Sequence, residues 1–168
     1  YLRRFVAFGR HAPAELGPVA LDAVVADVIK LVQPACNHAK VAIELRQPPG
    51  TVRVLGDRDA LVQLLMNLVL NALEAAERPG RPEARIAIEV ARDDDGWAEL
   101  GVTDSGPGPA ETVAERLFEP FVTEKPNGTG LGLYFARQVA EAHHGVIHWR
   151  RRNDQTCFTV RLPECDHP

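Results

Sequence analysis

Three groups of residues in this chain have types and spacings that chemistry can use. Asn67 and Asn71 stand four apart inside LVQLLMNLVLNALEAA, residues 61–76, a run that is apolar nearly all round at helical spacing. Such a helix is expected to be buried, and a buried amide costs free energy unless it is hydrogen-bonded. The pair therefore either shares a solvent-facing polar stripe with Gln63, Glu74 and Arg78 or lines a pocket. The second group is Asp104-Ser105-Gly106-Pro107-Gly108, directly after a strand-like run ending at Val102. A carboxylate fixed at a strand end can accept from an exocyclic amine, and Gly106 and Gly108 let a flat ring approach the backbone. The third is Gly128-Thr129-Gly130-Leu131-Gly132-Leu133, just before another helical run. Amides exposed at a helix start favour phosphate oxygens. This segment lacks the Gly-Lys-Ser/Thr ending of a Walker loop, and it does not follow a strand as a dinucleotide fingerprint must. Lys125, close before it, is placed to reach a terminal phosphate. Taken singly, each group reads equally well as a turn, a loop or an exposed side chain.

The elements that must position these residues follow from periodicity. Asp57 is a capping residue for the asparagine helix, and Pro79-Gly80 ends it. Leu21, Val24, Val25, Val28, Leu31 and Val32 mark an earlier amphipathic helix, which Pro34 either kinks or ends. Alternation at Val41, Ile43 and Leu45 and a short run over residues 52–55 read as strands. Ile86, Ile88 and Val90 alternate, as do Ala98, Leu100 and Val102, with Asp93-Asp94-Asp95-Gly96 as the hairpin turn between them. Residues 104–127 read as irregular. A helix then carries Tyr134, Phe135, Val139 and Ala142, with Gly145 as its stop and His143 and His144 suited to its negative C-terminal end. Residues 146–149 and 158–162 read as a closing hairpin. Residues 12–18 read as a linker, and Leu2, Phe5 and Val6 as the end of a helix whose partner lies elsewhere. The order argues an α+β layer: a mostly antiparallel sheet with helices on one face.

Composition narrows the partners. The 168 residues carry a net charge of −4, which gives no reason to expect nucleic acid or an anionic membrane. Arg150-Arg151-Arg152 is the one basic run and reads as a solvated strand end. No apolar stretch is read as membrane-spanning, and no signal peptide is visible. Cys36, Cys157 and Cys165 lack metal-ligand spacing and fit a reducing compartment, with Cys36 and Cys157 expected to be buried.

Asn67-x-x-x-Asn71, Asp104-x-Gly106-x-Gly108, Phe118-Glu119-Pro120-Phe121 and Gly128-Thr129-Gly130-Leu131-Gly132-Leu133 occur in the order of the N, G1, F and G2 boxes of sensor histidine kinases. The chain resembles the catalytic domain of that family over residues 19–163. The Asn-Ala-Leu-Glu-Ala ending of the first segment, and Lys125 three residues before Gly128, make it most similar to the nitrogen-regulation branch of two-component kinases. The resemblance implies the Bergerat ATP-binding fold, a two-layer α/β sandwich with a mixed, mostly antiparallel sheet and three helices on one face. It implies residues 1–18 as the end of a dimerisation and phosphoacceptor helix plus linker, 19–163 as the catalytic domain and 164–168 as tail.

By the same resemblance, Asn71 is the Mg²⁺ ligand, a neutral oxygen suited to a hard cation that keeps several waters. Asn67 contacts phosphate or metal-bound water, Asp104 reads the adenine amine, and Gly106 and Gly108 seat the base. Gly128, Thr129, Gly130, Leu131, Gly132 and Leu133 wrap the phosphates. Residues 109–127 form a lid that Phe118 and Phe121 anchor to the core, with Phe118 beside the nucleotide. Many family members carry lysine where Glu74 stands and an aromatic where Ala75 stands; Lys125 then supplies the missing catalytic charge. Hydrolases of this fold place glutamate where Asn67 stands, so the resemblance favours phosphoryl transfer to a protein. The implied cofactors are ATP and Mg²⁺. The implied acceptor is a histidine on a helical hairpin outside this chain, with relay to a response-regulator aspartate. None of the six histidines here is followed by the acid that follows that acceptor. A monomeric cytoplasmic domain of a homodimeric kinase, itself soluble or membrane-anchored, is expected, the domain having no nucleic-acid partner and no direct membrane contact. An anti-sigma serine kinase of the same fold, and a nucleotide-binding interaction module without transfer activity, are the alternatives.

Overall fold

The computed structural model describes residues 16–77, 84–126 and 128–165. Its elements run β1 (Gly17–Ala20), α1 (Leu21–Ala39), β2 (Ala42–Arg46), β3 (Arg53–Gly56), α2 (Arg58–Ala76), β4 (Arg85–Arg92), β5 (Trp97–Asp104), α3 (Glu111–Ala114), α4 (Gly132–Ala142), β6 (Val146–Arg152) and β7 (Gln155–Pro163). Five strands form one sheet in the order β2-β4-β5-β7-β6, with β2 parallel to β4 and the remaining pairs antiparallel. Period-two alternation makes the sheet two-faced: Ile86, Ile88, Leu100, Val102 and Val160 are fully buried under α1, α2 and α4. The expected two-layer α+β sandwich is therefore present, and α3 is a fourth, one-turn helix within the stretch read as irregular.

Several local expectations are corrected. Pro34 does not end α1, which runs through it to Ala39 and stops at left-handed Lys40. Pro34 lies on the exposed side while Val32 and Cys36 are buried on the other, so core packing carries the helix past one missing backbone bond. Gly17 and Pro18, read as linker, belong to β1, which pairs antiparallel with β3 and sets Val19 opposite Val54. Residues 164 and 165 are not tail: Glu164 bridges Val54, and the Cys165 amide donates to the Arg53 carbonyl. Gly145 is not the left-handed stop of α4. His144 takes that conformation, and Gly145 is needed because a Cβ there would stand 2.3 Å from the Arg161 carbonyl oxygen. Cys36 is buried, which pushes its thiol up, whereas Cys157 is only half-buried. By length and composition α2 would pass as a membrane span, contrary to the reading above. In the fold, however, its Leu61, Leu64, Leu65 and Leu68 form the centre of the core. The expected N-terminal helix end, His11, linker residues 12–15, the Pro79-Gly80 stop and residues 166–168 lie outside the described residues.

The β4–β5 turn forms as expected and is held by one carboxylate. Asp93 Oδ1 accepts from the amides of Trp97 at 2.9 Å and Asp95 at 3.0 Å, while Oδ2 pairs with Arg161. The Trp97 amide above all, helped by the Arg161 guanidinium and the Asp95 amide, holds the Asp93 carboxyl below the usual carboxylate range, against an opposing effect of burial that is second only to that of Trp97. A carboxyl lowered on folding contributes stability that is complete above its unfolded pKa and lost as pH falls through the lowered value. Asp93→Asn is thus expected to melt earlier than the parent chain at neutral pH, the gap closing below about pH 4. Melting curves across that window check it, and a gap independent of pH would contradict it.

Candidate functional site

The site begins at the start of α2. Asp57 caps the helix as expected, its Oδ1 accepting from the amides of Asp59 at 2.9 Å and Ala60 at 3.2 Å. Further along, Asn67 is buried and accepts weakly from Gln63 Nε2 at 3.5 Å, and Asn71 is half-buried one turn on. Both amides face the N-terminus of α4. A Cβ built on Gly132 would lie 3.7 Å from Asn67 Oδ1 and 3.9 Å from Asn71 Nδ2. Asn67 is thus covered by α4, while Gln63 and Glu74 on the same helix stay exposed.

The second wall is the loop after β5. Asp104 is 2% exposed, and its Oδ1 accepts from the Gly106 amide at 2.7 Å. Gly106 sits directly on α2, where an added Cβ would fall 2.7 Å from the Ala75 carbonyl oxygen and 2.8 Å from Ala75 Cβ. The small residue at position 75 therefore accommodates the loop rather than leaving a hole. Gly108 has φ +79° and packs against Arg151, so this member of the basic run is not simply a solvated strand end. Strand alternation was the available signal: Arg151 shares the face of Trp149, opposite to Arg150 and Arg152.

The third wall is the segment from Gly108 to α4. Phe118 meets Phe158 edge-on, ring centroids 6.2 Å apart, and anchors the segment to the core. Phe121 does not: it is 75% exposed at φ 65°, and its amide instead donates to the Gly130 carbonyl at 3.0 Å. Gly130 has φ +66° and no room for a side chain, a Cβ being 2.4 Å from the Phe121 carbonyl carbon, so the F-box and G2-box segments are locked to one another. The Thr129 hydroxyl accepts from the Leu131 amide at 3.4 Å, and Gly128 turns tightly against Thr123 and Lys125. Leu131 and Leu133 flank Gly132 half-buried at the helix start. Trp149 Nε1 donates to the Ala114 carbonyl at 3.1 Å, tying α3 to β6.

Lys125 reaches across the opening. Its Nζ donates to Asn71 Oδ1 at 3.3 Å and pairs with Glu74. The amide oxygen expected to meet Mg²⁺ thus already faces a cation, which is the chemistry a metal ligand needs. Among the described residues no group of three His, Cys, Asp or Glu could hold a metal ion. A single amide oxygen suits Mg²⁺, which keeps its waters and takes further oxygens from phosphate. The buried carboxylate, the close-packed glycine loop and the α4 N-terminus fit a purine nucleoside phosphate.

Two outcomes follow. Asp104→Asn should weaken ATP by on the order of 1.5–3 kcal/mol, the range for a charged hydrogen bond, and narrow discrimination against GTP. Calorimetric titration with both nucleotides checks it, unchanged affinities removing Asp104 from the site. Lys125 must leave Glu74 to meet a phosphate, and both side chains are more than 40% exposed. Such a pair is worth at most about 1 kcal/mol, so Glu74→Gln should tighten Mg·ATP by up to about fivefold, less at high salt, and Lys125→Ala should weaken it.

Comparison with known proteins places the chain. The family model for the histidine kinase-, DNA gyrase B-, and HSP90-like ATPase matches residues 56–166. The C4-dicarboxylate transport sensor protein DctB of Rhizobium meliloti (strain 1021) is 37% identical over 161 residues, covering 96% of this chain and 25% of that protein. The sensory histidine kinase/phosphatase NtrB of Rhizobium leguminosarum bv. phaseoli is 33% identical over 171 residues, covering 95% of this chain and 44% of that protein. The chain thus spans a quarter to under a half of these relatives. The solved catalytic domain of the histidine kinase ThkA superposes with a TM-score of 0.79 at 29% identity, covering 89% of this chain and 97% of that one. ThkA is also solved in complex with the response regulator protein TrrA, a match with a TM-score of 0.75 at 26% identity over 89% of this chain and 42% of that one. With a glycine loop on α2, two asparagines facing α4 and a family model that covers both, the chain belongs to the histidine kinase-, DNA gyrase B-, and HSP90-like ATPase family, as a histidine kinase ATP-binding domain.

Proposed function

We propose that this chain binds Mg·ATP and donates the γ-phosphoryl group to a histidine on a dimerisation hairpin outside residues 19–163, from which a response-regulator aspartate takes it. The observation that carries the reading is the group at position 67. Asn67 is buried against the start of α4, at the position where hydrolases of this fold carry glutamate. A carboxamide has no basicity to activate water, so the site is built to hold a phosphoryl donor for a nucleophile brought from elsewhere. The names of DctB and NtrB as sensor proteins, and the solved pairing of ThkA with a response regulator, support that partner order.

In this reading Asp104 orients the base, Asn71 holds Mg²⁺, and Asn67 with residues 128–133 holds the phosphates. Bound Mg²⁺ would neutralise charge on the transferring group. Lys125 exchanges Glu74 for the γ-phosphate, bringing positive charge to where negative charge develops. The lid, residues 109–127, closes over the nucleotide while Phe118 stays seated on Phe158. The residues before β1 are the end of the dimerisation and phosphoacceptor helix plus linker, and the parent protein is a homodimer whose catalytic domain works in the cytoplasm as a monomeric unit.

The test is labelling with γ-³²P ATP. Transfer depends on donor and acceptor being held near attack distance. The chain alone with Mg²⁺ should therefore acquire no acid-labile, base-stable label, and adding the helical hairpin of the same parent protein should produce it. Lys125→Ala should then slow transfer more than it weakens nucleotide binding. Robust labelling of the chain alone would overturn this assignment, and an acid-stable label would point to the serine kinase instead.

A further inference from the structure

We infer that Arg151 is a positioning residue for the base-reading loop, a role that rests on the nucleotide reading above and gives it a support from the outer strand of the sheet. Asp104, Thr156 and Arg151 form one row across three neighbouring strands, Asp104 opposite Thr156 and Thr156 opposite Arg151. From the outer strand the Arg151 side chain returns along this row toward the loop. Its Nη1 donates to Thr156 Oγ1 at 3.0 Å and to the Gly106 carbonyl at 3.1 Å, and its Nη2 donates to the Asp154 carbonyl at 3.1 Å. Thr156 is 2% exposed, so the row is built into the fold rather than draped over it.

The consequence for the loop is specific. Both backbone polar groups of Gly106 are engaged, its N–H on Asp104 Oδ1 and its C=O on Arg151. The Asp104 carboxylate is therefore linked through Gly106 to a guanidinium on the outer strand. Arg151 also fills the space beside Gly108, where a Cβ would lie 2.7 Å from Nη1 and 3.3 Å from Cδ. A guanidinium suits this place because its planar fork serves three acceptors at once, which a lysine ammonium on a flexible stem does less well. Its acidic neighbour is a weak competitor: Asp154 stands 4.0 Å away with its side chain 99% exposed. The β6–β7 turn supplies the geometry, since Asn153 and Asp154 both have positive φ, as a two-residue hairpin loop requires, and hold Arg152 opposite Gln155.

Arg150 and Arg152 are charge-matched controls on the opposite face of the same strand. In the intact chain, Arg151→Ala should weaken ATP about tenfold and narrow the ATP-over-GTP preference, while inorganic tripolyphosphate with Mg²⁺ binds as before. Arg151→Lys should recover part of the loss, and Arg150→Ala and Arg152→Ala should stay within about twofold of the parent. Without nucleotide, the Gly106 and Gly108 amide resonances should move in Arg151→Ala and not in Arg150→Ala. Thr156→Val, which removes one anchor of the guanidinium, gives a second variant should Arg151→Ala fail to fold, and should shift the same resonances. Unmoved glycine resonances would overturn the strut whatever the chain binds. Equal losses for ATP and tripolyphosphate would make Arg151 a general structural residue. If the parent chain shows no ATP preference while the resonances still move, the strut stands and the nucleotide reading falls.

Discussion

The backbone N–H of Asp57 donates to Nε2 of His143 at 2.9 Å, and the other ring nitrogen bonds the Val139 carbonyl at 2.7 Å. This imidazole joins the start of α2 to the end of α4, and it leaves no space at Gly56, where a Cβ would stand 2.5 Å from the ring. With one end of the helix pair pinned, the other end is determined. The 11 residues of α4 cover about 16 Å at a rise of 1.5 Å each, which brings Gly132 back alongside Asn67 and Asn71. The two helices thus run antiparallel, with the register between asparagines and phosphate-loop amides set at the far end from the chemistry. Because Nε2 accepts from an amide, the ring is the tautomer with its proton on Nδ1, donating to Val139. The partial negative charge at the C-terminus of α4 is met by the Nδ1 donor of His143.

Stiffness is unevenly distributed around the pocket. The wall made by α2 and β5 is set in a closed core: Asn67 and Asp104 are buried among fully covered leucines and valines, and moving either would disturb that packing. The opposite wall is held by an aromatic edge contact, single hydrogen bonds and an exposed ion pair. The Ala110 amide rests on Glu124 at 3.2 to 3.3 Å, and Lys125 rests on Glu74. Each polar contact of this kind is individually small in water. One wall therefore carries the geometry and the other can open at modest cost, with Phe118 as the fixed end.

The sequence was most legible where periodicity and glycine chemistry coincide. The α2 stripe, the Asp57 cap, the β4–β5 hairpin and the order of the glycine segments all follow from residue types a few positions apart. Contacts between distant segments were not readable that way. Pro18 in β1 looks like a linker residue until β3 lies beside it, and Pro34 looks like a stop until the burial of Cys36 is known. Ala75 looks like a missing aromatic until Gly106 is seen resting on it. Phe118 and Phe121 are identical in type and adjacent in motif, yet one is packed and one exposed, because the bond to Gly130 turns the backbone at 121. Arg151 could have been separated from its neighbours by strand alternation, though not assigned a partner, since Gly106 is 45 positions away.

The indole of Trp149 carries a consequence of its own. One of only two tryptophans in the chain, it is hydrogen-bonded to the carbonyl that closes α3. The other, Trp97, lies beneath the Arg161 guanidinium at the end of β5 remote from Asp104, 5.2 Å from ring centroid to cation. The two indoles therefore sit in environments of different polarity and different distance from the opening. Rearrangement of the segment between Gly108 and α4 alters the hydration of one ring and leaves the other as an internal standard. The molecule carries its own optical reporter of that segment, with no label to attach.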